Sequence, residues 1–136
     1  MRLDFRDPHL ERDPIRGPND LLLGVVADVQ WTVGDRILFT EEMVPVVELD
    51  LAMRGWLDRG LPKGEEFSYD SVEADEPGLI WTRPEAGGWR VGGLFQEYPE
   101  VTVWSPDEVA QLFRDFVEGV ERWLHTNLGV GLDAAE

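Results

Sequence analysis

Cysteine is absent from the sequence, and its absence excludes disulfide bonds, thiolate zinc sites and cysteine nucleophiles. A chain without cysteine is typical of a reducing compartment. No apolar run approaches the roughly 20 residues that a membrane-spanning helix needs. Arg2 introduces charge at the start of the chain, where a secretory signal would need an apolar core. We therefore expect a cytoplasmic protein.

Basic residues are also scarce, and Lys63 is the only lysine. Twelve Lys and Arg residues oppose 28 Asp and Glu residues, which gives a net charge of −16 at pH 7. A field of that sign repels nucleic acid and anionic lipid and attracts basic proteins. We therefore expect no nucleic-acid partner and no membrane partner, whereas a basic protein partner is favoured. Acidity has a second explanation, because net charge also keeps a small protein in solution.

Patterns that carry catalysis or bind metal are missing as well. The two histidines, His9 and His125, have no carboxylate at the spacing of a zinc site. The HExxH, GxSxG, P-loop and GxGxxG patterns do not occur. We therefore expect a protein that is not an enzyme and that needs no metal or organic cofactor.

A long amphipathic helix is the clearest feature that is present. Ser105-Pro106-Asp107-Glu108 predicts a helix over residues 105–128 that begins with a capping box, and Gly129 predicts its end. Apolar residues recur along it at helical spacing and should be buried. They are Val109, Leu112, Phe113, Phe116, Val117, Val120, Trp123 and Leu124.

The alternation of apolar and polar residues, together with turn-forming residues, predicts the other elements. A strand is expected over 21–33, followed by a Gly34-Asp35 turn and a return strand over 36–39. Pro45 opens a predicted helix that ends near Arg59. Further strands are predicted at 67–73, 79–83, 89–96 and 101–104.

The hairpin around residues 86–88 has a predicted register. A three-residue loop there would place Trp81 opposite Gly93, where the indole would cover a residue without a side chain. The same register would place four apolar side chains on one face of the sheet. They are Leu79, Trp81, Val91 and Phe95.

These elements predict an α+β fold in the order β-β-α-β-β-β-α. It consists of an antiparallel sheet of about five strands with two helices packed on one face. Residues 1–20 are expected to be irregular, with a short edge strand possible at Leu3 and Phe5. Residues 21–128 form the single α+β domain that a chain of this length favours, and 129–136 form a flexible tail.

The densest chemical feature is the segment 65–76, which contains six acids and no base. Three interpretations stay open: a solvated surface, a partner-binding surface, or a site for metal or acid–base catalysis. Aromatic residues beside the acids are typical of protein interfaces, although packing of a sheet on helices also explains Trp81. The candidate partner-binding residues are Glu65, Glu66, Asp70, Glu73, Asp75, Glu76, Trp81, Trp89, Glu97 and Tyr98.

Several short motifs together resemble a known family over roughly residues 20–125. They are PVVEL (45–49), RGWL (54–57), FSY (67–69), EPGLIW (76–81), GWRVG (88–92) and QE (96–97). The chain resembles small, acidic bacterial domains found mainly in actinobacteria, a family without an established activity. The resemblance therefore supplies no catalytic residue. Size, acidity and architecture also resemble those of immunity proteins, which neutralise toxins.

Two functions follow as expectations. The first is a small acidic intracellular binding protein, acting as an immunity-type inhibitor of a basic toxin or nuclease. The second is a homo-oligomeric interaction or scaffold domain without catalytic activity. For the second, Val47 and Leu51 lie off the main apolar face of the first predicted helix and offer an association patch. The protein is accordingly expected to be a monomer or a homodimer.

Overall fold

The computed structural model describes residues 1–11, 16–71 and 77–135. Within these ranges the chain forms six β-strands and three α-helices. The strands are β1 Arg2–Leu10, β2 Val25–Val33, β3 Arg36–Pro45, β4 Phe67–Tyr69, β5 Ile80–Glu85 and β6 Gly88–Gly92. The helices are α1 Pro18–Gly24, α2 Val46–Gly55 and α3 Pro106–Leu128.

The expected α+β class is confirmed, but the expected single sheet of about five strands is wrong. The strands form two antiparallel sheets of three, in the orders β1-β2-β3 and β4-β5-β6. The segment before residue 21 contains β1, which lies at the edge of the first sheet, and the start of α1. The tail contains a short 3₁₀ helix, Leu132–Ala135, and its Leu132 side chain is buried against the core.

The predicted strand over 21–33 begins too early, because its first residues belong to α1. Pro18 occupies the first helical position, where its missing N–H costs nothing. The Asp20 carboxylate accepts a hydrogen bond from the Arg16 backbone N–H at 2.8 Å. Residues 21–26 are all apolar or glycine, so alternation cannot separate a helix from a strand there. β2 therefore starts at Val25.

The second helix ends earlier as an α-helix than the sequence predicted. α2 gives way to one wide π-helical turn, Trp56–Gly60, and then to a 3₁₀ turn, Leu61–Lys63. The wide turn packs the Trp56 indole on Gly60, and a β-carbon at position 60 would collide with the ring. The indole Nε1–H donates to the Glu65 carbonyl oxygen at 2.8 Å. Val47, expected in an association patch, is fully buried, and Leu51 is half-buried.

The predicted register of the β5–β6 hairpin is wrong by one residue. The turn is the two-residue Ala86-Gly87, and Trp81 lies opposite Gly92 rather than Gly93. A slip of one residue exchanges the two faces of a strand. The core face of this hairpin is accordingly formed by Ile80, Thr82, Trp89 and Val91. Trp81 points away from that face and packs on Gly92, which leaves no room there for a side chain.

The third helix has the predicted start, end and buried face. The Ser105 hydroxyl accepts from the Glu108 N–H, and the Glu108 carboxylate accepts from the Ser105 N–H, each at 3.1 Å. Gly129 ends the helix in the left-handed conformation, at φ +67°. The predicted apolar stripe is buried except for Trp123, which is half-buried.

One ring on α3, that of Phe113, joins the main parts of the fold. Its centroid lies 6.2 Å from the ring of Trp31 in the first sheet and 5.1 Å from Phe67 in the second sheet. It also lies 5.4 Å from Trp56, which follows α2. One turn further along α3, Phe116 meets Phe5 of β1 edge-on at 5.6 Å. The two helices therefore pack between two small sheets and not on one face of a single sheet.

Replacement of Phe113 by alanine tests this role. Phe113→Ala should lower the free energy of unfolding by about 3–5 kcal/mol, since it removes buried area and leaves a cavity. Urea unfolding followed by tryptophan fluorescence measures the change. Phe95→Ala is the matched control, because Phe95 is 60% exposed and its loss should cost no more than about 0.5 kcal/mol. Equal effects of the two substitutions would contradict the central position of Phe113.

Candidate protein-binding surface

The acidic segment 65–76 is only partly within the described ranges. Glu65, Glu66 and Asp70 are exposed. Glu73, Asp75 and Glu76 were also expected in the surface, but they lie outside the described residues. Glu66 faces Arg83 of β5, with 3.8 Å between carboxylate oxygen and guanidinium nitrogen. Both side chains are largely in solvent, so this ion pair contributes little to stability.

Asp70 has a structural role in the described residues. One carboxylate oxygen, Oδ1, accepts hydrogen bonds from the Ser68 hydroxyl at 2.8 Å and from the Gly78 N–H at 2.7 Å. It thereby connects the end of β4 to the residue that leads into β5. A carboxylate used in this way is less free to pair with a partner, because its best acceptor positions are occupied.

The two tryptophans expected beside the acids are not free contact residues. Trp89 is only 4% exposed and lies edge-on to Trp56, with 5.3 Å between ring centroids. It belongs to the core and is removed from the candidate surface. Trp81 is half-buried, and the Arg83 guanidinium lies 4.1 Å above its ring. The outer face of the second sheet also places Arg83 opposite Arg90, so it is less acidic than expected.

The last two expected residues, Glu97 and Tyr98, lie on a different edge. They follow β6, whereas Glu65, Glu66 and Asp70 flank β4, and these strands form opposite edges of the second sheet. The Glu97 N–H donates to the Leu38 carbonyl of β3 at 2.7 Å. The Arg36 guanidinium lies 3.7 Å above the Tyr98 ring. Those candidate residues that the structure describes are therefore not brought together at one edge.

Sequence reasoning missed a loop with four exposed apolar side chains, on the connection between β6 and α3. We call it the apolar loop; it consists of Leu94, Phe95, Val101 and Val103, with 36, 60, 70 and 43% of their surfaces exposed. The sequence predicted two strands over this connection and placed Phe95 on one sheet face with Leu79, Trp81 and Val91. In the structure, sheet-like pairing in this connection is limited to one pair of residues, Trp89 and Trp104. The signal that could have found the loop is apolar residues spaced irregularly among Pro and Gly.

A buried carboxylate links the two long helices. Asp50 of α2 is fully buried, and its Oδ1 accepts from Arg54 Nε at 2.7 Å. Arg54 Nη2 in turn donates to Glu121 of α3 at 3.1 Å. In the described part of the chain, Asp50 Oδ2 has no hydrogen-bond partner. Burial raises the pKa of Asp50 from its ordinary value of 3.8 to about 6, although Arg54 acts to lower it.

Over residues 1–11, 16–71 and 77–135, no three His, Asp or Glu side chains converge as a metal site would need. None of the helices described there combines the length and the apolar character that crossing a lipid bilayer takes.

The buried carboxylate gives a pH dependence with a definite sign. The folded state binds the Asp50 proton more tightly than the unfolded chain, so the free energy of unfolding should fall as pH rises from about 4 to about 6. The loss amounts to about 3 kcal/mol, because one pKa unit corresponds to about 1.4 kcal/mol. Asp50→Asn should lack this loss. Other carboxylates titrate in the same range, so the relevant quantity is the difference between the two proteins, measured by urea unfolding from pH 4 to pH 7.

The control for that experiment is Asp58→Asn, which removes a charge from an exposed position in the π-helical turn that follows α2. The free energy of unfolding of this variant should change with pH in the same way as that of the parent protein over this range. A constant difference between the parent and Asp50→Asn at every pH would contradict the assignment.

Comparison with known proteins gives one family. Neither the curated proteins nor the solved structures compared with the chain include a significant match. A family model described as a domain of unknown function (DUF7878) matches residues 2–126, which include both sheets and nearly all of α3. The chain belongs to this family.

Proposed function

We propose that this chain is a small acidic intracellular protein that binds and inhibits a basic protein, in the manner of an immunity protein. In this proposal it acts by binding, without catalysis and without a cofactor. The partner would be a cationic toxin or nuclease. Such enzymes present Lys and Arg around the cleft that holds nucleic-acid phosphates, and carboxylates can occupy that cleft in their place.

The observation that carries the proposal is the charge balance of 28 acids against 12 bases, together with the contacts that occupy several of the arginines. Arg54 is bound to Asp50 and Glu121, and Arg36 lies on Tyr98. Arg83 lies on Trp81, and Arg90 donates to the Glu100 carbonyl oxygen at 3.0 Å. These arginines are engaged within the chain.

Exposed carboxylates remain available, as do the exposed bases Arg59, Lys63, Arg114 and Arg122, none of which forms an ion pair with the residues that the structure describes. The Glu65 and Glu97 side chains are exposed and make no ion pair with the residues that the structure describes. Because acids outnumber bases by 28 to 12, the net charge of −16 attracts a cationic surface. Attraction of this kind speeds association, and it weakens with salt because the Debye length is only about 8 Å at physiological ionic strength.

Size, acidity and the α+β architecture support the likeness to immunity proteins, as an analogy of general properties. We further propose that the relatives of this chain are acidic domains found mainly in actinobacteria. A toxin gene beside the gene for this chain would then identify the partner.

Affinity capture tests the proposed function. The immobilised chain should retain a basic protein from source cells at low salt, and retention should fall as the salt concentration approaches physiological values. Mass spectrometry identifies the retained protein, and inhibition of its activity by the free chain is then measured. Retention of no basic protein at low salt would exclude the proposal.

A pair of variants with equal net charge tests whether the acidic segment contributes. Two double variants are compared, both at exposed sites. One combines Glu65→Lys with Glu66→Lys, and the other combines Asp115→Lys with Glu118→Lys. Both change the net charge by the same amount. The first pair should slow association with the captured protein on the order of tenfold at low salt, because edge charges act mainly on the association rate. Equal slowing by both pairs would mean that net charge alone, and no particular surface, steers the encounter.

A further inference from the structure

The apolar loop is unusual because it is exposed and yet held firmly. The Gly93 N–H donates to the Gln96 side-chain oxygen at 3.1 Å, and the Gln96 amide donates to the Tyr98 carbonyl oxygen at 2.9 Å. The Glu97 N–H is bound to Leu38 of the first sheet. The first half of the loop therefore presents Phe95 from a fixed backbone.

The second half is fixed in a similar way. Glu100 is buried, and its carboxylate accepts from the Thr102 N–H at 2.9 Å. Two hydrogen bonds of 2.8 Å join Trp104 to Trp89 of β6. Both valines of the apolar loop therefore stand on an ordered backbone. A surface that is already ordered loses little conformational entropy when a partner binds.

Charge around the apolar loop selects the kind of partner. Residues 91–113 contain no Lys or Arg, and of their four acids Glu97 and Asp107 are exposed, whereas Glu100 is buried and Glu108 belongs to the capping box of α3. Glu97, two positions after Phe95, is exposed. The nearby cations Arg36 and Arg90 are engaged with Tyr98 and Glu100. A second copy of this chain would bring acid against acid and a charge of −16 against −16, whereas a cationic protein would meet complementary charge.

We propose that the apolar loop is the contact surface for a basic protein, with Leu94, Phe95, Val101 and Val103 in short-range contact and Glu97 paired with a cationic side chain. This inference rests on the proposed function and adds the location of its surface. Apolar side chains at the centre of an interface dominate the dissociation rate, whereas charges at its edge act on the association rate.

Site-specific photocrosslinking tests the location. The probe is the full chain with p-benzoylphenylalanine in place of Phe95, and a second probe carries the same group in place of the exposed Thr126 on α3. After irradiation in a lysate of source cells, position 95 should be joined to a protein of high isoelectric point and position 126 should not. Crosslinking of position 95 to a second copy of this chain would overturn the proposed occupant.

Substitution measures the strength of the contact. Phe95→Asn and Val101→Asn should each weaken binding of the basic protein retained in the capture experiment, on the order of thirtyfold, mainly through faster dissociation. Met43→Asn is the matched control: Met43 is 46% exposed and lies on β3 roughly 15 Å along the strand from Leu38. It should leave binding unchanged. Urea unfolding checks that all three variants are folded.

The two proposals can fail separately. If the parent chain retains a basic protein and both loop variants retain it equally well, the location is wrong and the proposed function stands. If the parent chain retains no basic protein, both proposals are wrong.

Discussion

The fold depends on the contacts of a single aromatic ring, that of Phe113. Among the described strands the two sheets share no hydrogen-bonded ladder, so their relative position depends largely on side-chain packing, besides the hydrogen bond from the Glu97 N–H to the Leu38 carbonyl oxygen. Phe113 lies on the longest helix and meets Trp31, Trp56 and Phe67 at ring distances near those of favourable aromatic pairs. Because each of these partners belongs to a different element, one helix face holds two small sheets and α2 in place.

This packing also explains where the charges lie. A core that joins two sheets uses the apolar side chains of both, and most carboxylates are left at the surface. Among the described residues, Asp50 and Glu100 are exceptions, and Asp50 is buried between the helices with Arg54 as its ion-pair partner. A buried ion pair is weak support for stability, because desolvation offsets the attraction. Arg54 also pairs with Glu121 of α3, so one guanidinium contacts both helices.

Two kinds of surface contribute to the proposed binding mode. Carboxylates spread over the molecule provide long-range attraction, which has little dependence on the details of the fold. The apolar loop provides short-range contact and depends entirely on the fold, because its backbone is held by Leu38 of one sheet and Trp89 of the other. The loop that exposes Phe95 therefore also links the two sheets.

Local features were predictable from the sequence because they involve residues within a few positions of one another. The capping box at Ser105, the apolar stripe of α3 and the Gly129 end are of this kind, and all were confirmed. The α+β class and the scarcity of cations were equally accessible. Of the candidate site, the exposure of Glu65, Glu66 and Glu97 agrees with what the sequence suggested.

Other features depended on contacts between distant residues. In the observed hairpin register, Ile80, Thr82 and Val91 pack into the core. The sequence pattern did not distinguish this register from one shifted by one residue, because both faces of the hairpin carry apolar side chains. Burial of Trp89 against Trp56 follows from that register, whereas Phe95 is exposed because β6 ends at Gly92 and the chain leaves the sheet. The sequence by itself determined which helix organises the chain and what charge it carries. Only the tertiary structure decided which aromatic residues lie inside and which meet solvent, because periodicity specifies alternation along a strand but not which face is buried.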